Sequence, residues 1–289
     1  VVSDPDGDFA AERPRLLGLA YRILSSYGDA EDVVQEAWIR WQGVEHDDIT
    51  SPAAYLTTVV TRLALDRTRT IARRREQYVG PWLPEPIAID RGPEERAEMA
   101  ESLTLGFLML LDRLSPTERA VWLLADVFAE PYALIAEATG KTEAACRQIA
   151  TRARRRLRDA RPAPPERLEA GLLGRLMAAV AAGDLTRTLE LLDADVVLLS
   201  DGGPERRAAR QPIVGADRVA RFTINIARRG EVTGLQATEI NGSPALVLEI
   251  DGTMPMVITG EQRDGKVIRL FVLLNDEKLT ALSVHPIIR

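Results

Sequence analysis

The chain has 289 residues, 46% of them hydrophobic and 28% charged, a composition suited to two or three folded domains and not to a disordered or fibrous protein. One cysteine (Cys146) and two histidines exclude an intrachain disulfide framework and a zinc cluster, so no metal or other cofactor is expected. The net charge of −6, the acidic start VVSDPDGDFAAERPR and the lack of any apolar run of about eighteen residues predict a cytoplasmic chain with no membrane partner.

The first 80 residues read as helices. RPRLLGLAYRILSS repeats apolar residues at three and four and ends near Tyr27-Gly28. DAEDVVQEAWIRWQG offers Asp29 as N-cap and stops at Gly43. SPAAYLTTVVTRLALDRTRTIARRR starts with Ser51 as cap and Pro52 at the first helical position. Its second half is basic, with Arg62, Arg67, Arg69, Arg73, Arg74 and Arg75 against the single acid Asp66.

GPWLPEP (80–86) then breaks the pattern, because each proline fixes φ and removes a backbone donor. IAIDRGPEERAE extends the break. A second helical block follows, in which PEERAEMAESLTLGFLMLLDRL runs to Ser115-Pro116 and SPTERAVWLLADVF opens with Glu118 at capping-box distance from Ser115. PYALIAEATGKTEAACRQIATRARRRLR reads as helix, tight turn at Thr139-Gly140-Lys141, and basic helix, the helix-turn-helix pattern. Its arginines (147, 152, 154, 155, 156, 158 and 161) face only Asp159. Cys146 reads as a small packing residue. Two basic stripes on an acidic chain suggest two phosphate-binding surfaces; a pair of solvated helix faces is the plain alternative.

After a second proline-rich break, RPAPPER (161–167), the pattern changes class. Helices and one strand (DVVLLS) lead into apolar runs separated by Asn241-Gly242, Asp251-Gly252 and Asp264-Gly265, which are hairpin signals. This predicts an α+β domain with helices packed on one curved antiparallel sheet.

These residues resemble the bacterial extracytoplasmic-function (ECF) RNA polymerase sigma factors over most of the chain. LLGLAYRILSSYGDAEDVVQEAWIRW is similar to the family segment that grips the polymerase, and SPAAYLTTVVTRLALDRTR to the one that melts and reads the −10 element. LSPTERAVWLLADVFAEPYALIAEATGKTEAACRQIATRARRRLR is similar to the helix-turn-helix that reads the −35 element. Trp82-Leu83-Pro84-Glu85-Pro86 matches the WLPEP linker of a subgroup that carries a C-terminal SnoaL-like domain, a cone related to ketosteroid isomerases. Two further subgroup signatures depart from pattern: a DGGGK-like loop stands as Asp201-Gly202-Gly203-Pro204-Glu205, and an NPDKL-like motif as Asn275-Asp276-Glu277-Lys278-Leu279.

The resemblance implies a multidomain chain of two all-α sigma domains followed by the α+β cone. The expected divisions are a region-two domain (1–79), a linker (80–98), a region-four domain (99–161), a short linker (162–167) and the SnoaL-like domain (168–289). It implies core RNA polymerase (β′ clamp helices and β flap) and promoter DNA as partners. The cone would control activity in cis with no separate anti-sigma factor.

Carried onto this sequence, Asp29, Glu31, Asp32, Gln35 and Glu36 form an acidic edge for the polymerase. Arg62, Arg67, Arg69, Arg73 and Arg74 meet −10 phosphates, and Tyr55 with the loop GVEHDDIT faces unpaired bases. Arg147 and Gln148 are the base readers at −35, since arginine pairs bidentately with guanine and glutamine with adenine, while Lys141, Arg152, Arg154 and Arg155 hold phosphates. The linker anchors Trp82 and Leu83 are expected to dock on the cone near Asp201–Gly203 or Asn275–Leu279. Alternatives stay open: a small-molecule ligand in the cone, or an isomerase-type enzyme there. The strands from Glu231 to Leu274 hold neither His nor Tyr, and Asp201 is the sole suggestive acid, so no catalytic residue is assigned. An ordinary helix-turn-helix repressor would leave the first 80 residues unexplained.

Overall fold

The computed structural model describes residues 5–46, 49–88, 103–160, 165–251 and 254–283. Asp47 and Asp48 of the GVEHDDIT loop, the break and helix start expected over 89–102, Arg161, Gly252 and His285 lie outside them. The chain divides into two compact units, Val1–Gln77 with Leu108–Pro162 and Tyr78–Phe107 with Ala163–Arg289. Both basic helices therefore fall in one unit, and the WLPEP segment groups with the C-terminal residues.

The first unit is all-helical. Helices α1 (Pro5–Leu24), α2 (Tyr27–Gln42) and α3 (Pro52–Glu76) pack on one another around Leu16, Leu19, Ile23, Val34, Trp41, Leu56 and Val60. α1 begins at Pro5, well before the expected start, because Phe9 buries against the Trp38 ring at 4.7 Å. α2 is capped by the Ser26 hydroxyl and not by Asp29, whose backbone N–H is the group that Ser26 accepts. α3 starts on the Ser51 cap with Pro52 behind it.

The chain returns through α4 (Leu105–Leu111) and α5 (Pro116–Trp122), the latter on a full capping box of Ser115 and Glu118. The last turn, Leu123–Val127, is a π-bulge where continuous α-helix was expected. Helices α6 (Tyr132–Thr139) and α7 (Glu143–Ala160) form the helix-turn-helix, joined at Gly140, whose φ of 65° is left-handed and suits glycine. α7 buries Cys146, Ala150, Ala153 and Leu157, a stripe of period near 3.6, and leaves its arginines outward. α6 packs on α3 as well as on α7.

The second unit is the α+β cone. Strands β1 (Glu166–Arg167), β2 (Leu192–Asp201), β3 (Ile213–Val214), β4 (Val232–Ile240), β5 (Ser243–Ile250), β6 (Met254–Arg263) and β7 (Lys266–Leu273) form one sheet. Its order is β3-β2-β7-β6-β5-β4, with β1 on β6. All pairs are antiparallel except β2 with β7, which meet after a crossover through α10 (Ala216–Ala227) and the meander. Asn241-Gly242 and Asp264-Gly265 turn two of the hairpins, each residue at positive φ as a type I′ turn requires. Helices α8 (Ala170–Ala182), α9 (Leu185–Leu191) and α10 close one sheet face over Leu198, Leu248, Ile258 and Leu270. A last helix, α11 (Asp276–Ser283), follows β7.

Register assigns the faces. Leu198 pairs with Leu270 and Ile258 with Val272 on the helix-covered side, so Leu199, Asp201, Val257, Phe271 and Leu273 point to the other. They are buried too, and none belongs to the first core. The second face is therefore covered as well.

Candidate functional site

In the first unit the structure brings together residues that were expected to serve different partners. Asp29 is buried, accepts from Ser26 Oγ at 2.8 Å, and receives Arg74 Nη2 on both oxygens at 2.8 Å and Arg67 Nε at 3.1 Å. Arg67 also pairs with Asp32. Two arginines expected at DNA thus hold the start of α2 against α3. Glu31, Gln35 and Glu36 stay exposed on α2, Glu36 paired with Arg40 one turn on. Arg62 donates to the Glu137 carbonyl of α6 at 2.8 Å, Arg69 pairs with Asp66, and Arg73 is exposed. Tyr55 is half-buried with its ring 5.6 Å from Trp41, so its ring is part of the helical packing.

On α7, Lys141 (in the preceding turn), Gln148, Arg152 and Arg155 are exposed. Arg147 pairs with Glu143 at 2.6 Å and stacks over the Tyr132 ring at 5.0 Å. Arg154 pairs with Asp126 at 2.7 Å, and the hydrogen bonds to Asp126 and Tyr132 raise its guanidinium above its ordinary value. The helix surface combines positive charge with fixed side chains, which suits a phosphate-lined groove.

The second unit holds the most tightly built polar cluster. Asp201, fully buried, accepts from Tyr78 OH, from the Leu83 N–H at 2.8 Å, from Lys278 Nζ at 2.7 Å and from the Gly203 N–H at 3.2 Å. Lys278 Nζ also donates to the Leu83 carbonyl at 2.6 Å and lies 3.7 Å from the Trp82 ring centre, with the Tyr78 ring 5.1 Å away. Asn275 Nδ2 donates to Tyr78 OH at 2.7 Å. Gly203, at φ 64°, sits so close to Asn275 that a Cβ would fall 2.9 Å from its side chain. Leu279 is buried beside Lys278. The departures at Pro204 and Glu205 are exposed and leave these contacts intact.

Backbone accounting explains how WLPEP can be buried without joining the sheet. Leu83, Pro84 and Pro86 are buried, and Trp82 and Glu85 half-buried. Pro84 and Pro86 have no N–H to satisfy. The flanking donors go to side chains: Leu83 N–H to Asp201, and Ile87 N–H to Asn241 Oδ1 at 3.0 Å. Asn241 returns its own N–H to the Ile87 carbonyl at 2.9 Å and gives Nδ2 to the Leu103 carbonyl at 2.8 Å. Asn241-Gly242 read only as a hairpin turn from sequence; that the turn also grips residues 87 and 103 has no local signal. Tyr78, two residues before GPWLPEP, and Tyr132, inside the helix-turn-helix segment, likewise carry no local signal of these contacts.

Burial, and then the Asp201 carboxylate it donates to, raise the Tyr78 hydroxyl well above the usual tyrosine value of about 10. The folded value lies above the unfolded one. Its contribution to stability is therefore complete below about pH 10 and is lost as pH rises through the folded value. Ultraviolet titration should show fewer tyrosines ionising near pH 10–11 in native than in urea-unfolded protein, about the unfolded pKa, with Tyr78 among those delayed. Tyr78→Phe should reduce that difference by one tyrosine; an unchanged difference would place the delayed ionisation elsewhere.

Residues 9–75 match the family model for Sigma-70 region 2, and residues 105–157 that for Sigma-70, region 4. The ECF RNA polymerase sigma factor SigJ of Mycobacterium tuberculosis is 39% identical, over 94% of this chain and 92% of that protein. The probable ECF RNA polymerase sigma factor SigI of the same species is 32% identical, over 95% and 94%. The crystal structure of Mycobacterium tuberculosis SigJ superposes with a TM-score of 0.78 at 36% identity, covering 95% of this chain and 98% of that one.

Proposed function

The chain belongs to the ECF RNA polymerase sigma factors, which act in transcription initiation, and from that membership we propose that its cone controls initiation in cis by holding the connecting segment. The observation that carries this reading is the Asp201–Lys278 pair closed over Leu83, with Asn241 gripping residues 87 and 103. Residues 76–104 are also the covalent bridge between the two sigma regions. A bridge held along the cone restrains how far those regions can separate over two promoter elements. Because cone and bridge share one chain, the effective concentration of the contact is high, and no separate anti-sigma factor is needed for this restraint.

In the same reading the exposed edge of α2 (Glu31, Asp32, Gln35, Glu36) meets the polymerase, with Asp29 fixing the helix start. Arg62, Arg69 and Arg73 of α3 meet −10 DNA. Gln148, Arg152 and Arg155, with Arg147 and Arg154 on the flank of α7, meet −35 DNA, and Lys141 meets its backbone. The cone acts as a regulator and not as an enzyme. Asp201 faces away from the helix-covered core, and its oxygens accept four internal donors, so this carboxylate is not free to act as a base on a substrate.

Run-off transcription with core polymerase from the protein's own control region tests the control. Ending the chain at Asn275, which removes Lys278 and Leu279, should change promoter-specific output about fivefold or more relative to the full chain; fixing the cone's contact at roughly 1 kcal/mol gives that order. Equal output from both chains would overturn the regulatory reading.

A further inference from the structure

Tyr132 opens α6, the first helix of the helix-turn-helix, and touches two arginines of α7. Its ring face carries the Arg147 guanidinium at 5.0 Å, and Arg154 Nη2 lies 3.5 Å from its hydroxyl. Arg147 and Arg154 are seven residues apart, so they share one flank of α7 at an axial separation of about 10 Å. Each has a second tether, Glu143 Oε2 at 2.6 Å for Arg147 and Asp126 Oδ1 at 2.7 Å for Arg154. Both side chains nevertheless keep about half their surface exposed. They are fixed in direction and still open to a ligand.

Arginine loses more rotamer freedom than most side chains when it is ordered. Contact with the Tyr132 ring and with the Glu143 carboxylate removes part of that loss before DNA arrives. Arg147 lies in the second turn of α7, where a helix-turn-helix presents side chains to base edges, and Arg154 lies two turns further along. The planar guanidinium fork is shaped for the O6 and N7 atoms of guanine, whereas a phosphate oxygen needs only charge and one donor.

We propose that Tyr132 is a specificity-positioning residue: its ring aims Arg147 at a guanine in the −35 element, and its hydroxyl keeps Arg154 in register on the phosphate backbone. This rests on the reading above that α7 enters the major groove of the promoter. One scaffold residue then couples the contact that specifies to the contact that positions.

The test uses full-length protein with core polymerase on a template pool in which each −35 base pair is varied singly, with transcripts counted by sequencing. Wild-type protein should prefer guanine at one position by about tenfold or more, and Arg147→Lys should abolish that preference, since a point charge lacks the fork. Tyr132→Phe keeps the ring and should retain the preference, with output at every template falling modestly, because Asp126 still tethers Arg154. Tyr132→Leu should reduce the preference to within about twofold. If Arg147→Lys abolishes the preference and Tyr132→Leu keeps it, the positioning role is overturned while the groove reading stands. If Arg147→Lys changes no preference, the groove reading of Arg147 fails. If Tyr132→Phe loses the preference as Tyr132→Leu does, the assignment to the ring is wrong.

Discussion

Replacing Asp201 by alanine is expected to destabilise the C-terminal unit by about 3–5 kcal/mol, the cost of leaving one member of a buried ion pair behind. The carboxylate is fully buried and accepts four donors, two of them from the Tyr78–Leu83 stretch. Without it, the Lys278 ammonium stays buried with its counter-ion removed, and the Leu83 N–H loses its acceptor. The double change Asp201→Leu with Lys278→Met removes both charges and should recover the ionic part of the loss, while the Leu83 N–H and carbonyl stay without their partners. Denaturant unfolding measures both, and hydrogen exchange at the Leu83 amide reports the connecting segment directly. Exchange should quicken in the alanine variant at least tenfold, the equivalent of about 1.4 kcal/mol of local opening. A stability loss under about 1 kcal/mol, with Leu83 still protected, would show that the apolar anchors alone hold the segment.

What was legible in the sequence was what short-range chemistry decides. Ser51-Pro52, the Ser115–Glu118 box, Gly140 and the Asn241-Gly242 turn are each fixed by atoms within a few residues, and all four stand where the local rules put them. The α+β character of the last third followed from helix and strand periods in the same way. Errors arose where a distant partner competes. Asp29 reads as the N-cap, yet Ser26 takes that role, and Asp29, three residues on, accepts from the Ser26 hydroxyl and from Arg67 and Arg74 of another helix. The three prolines of GPWLPEP read as a stiff spacer. Their missing donors are also what allows Leu83, Pro84 and Pro86 to lie buried without a strand partner, and that use is visible only once Asp201 and Asn241 are seen at the flanking N–H groups. The parallel pairing of β2 with β7 is likewise decided by the crossover and not by either strand.

Arg119 gives the second large effect, and here no motif points to the residue. It sits on α5 with only 6% of its surface exposed, and burial lowers its guanidinium from the ordinary arginine value. Its Nε donates to the Leu111 carbonyl at 3.2 Å and its Nη1 to the Ile23 carbonyl at 3.0 Å. Those carbonyls lie at the C-terminal ends of α4 and α1, where helix geometry leaves acceptors unsatisfied and a cation is favoured. Asp112 receives Nη2 and, on the same oxygen, Arg75 Nη1 of α3 at 3.0 Å. One side chain therefore caps a helix from each sigma region and carries the link on to a third helix. Arg119→Met is expected to cost the first unit about 2–3 kcal/mol, since the Ile23 carbonyl loses its guanidinium donor while the Leu111 carbonyl keeps the Leu114 N–H and Asp112 keeps Arg75. Arg119→Lys should recover only a minor part, because a single ammonium cannot reach acceptors spread around a planar fork. If the guanidinium ties the two regions into one cooperative body, calorimetry of Arg119→Met should show its transition broaden or split, while wild-type protein unfolds that unit in one step. A methionine variant within about 1 kcal/mol of wild type, with its transition still single, would mean that apolar packing alone joins the helices and the buried guanidinium contributes only its own satisfaction.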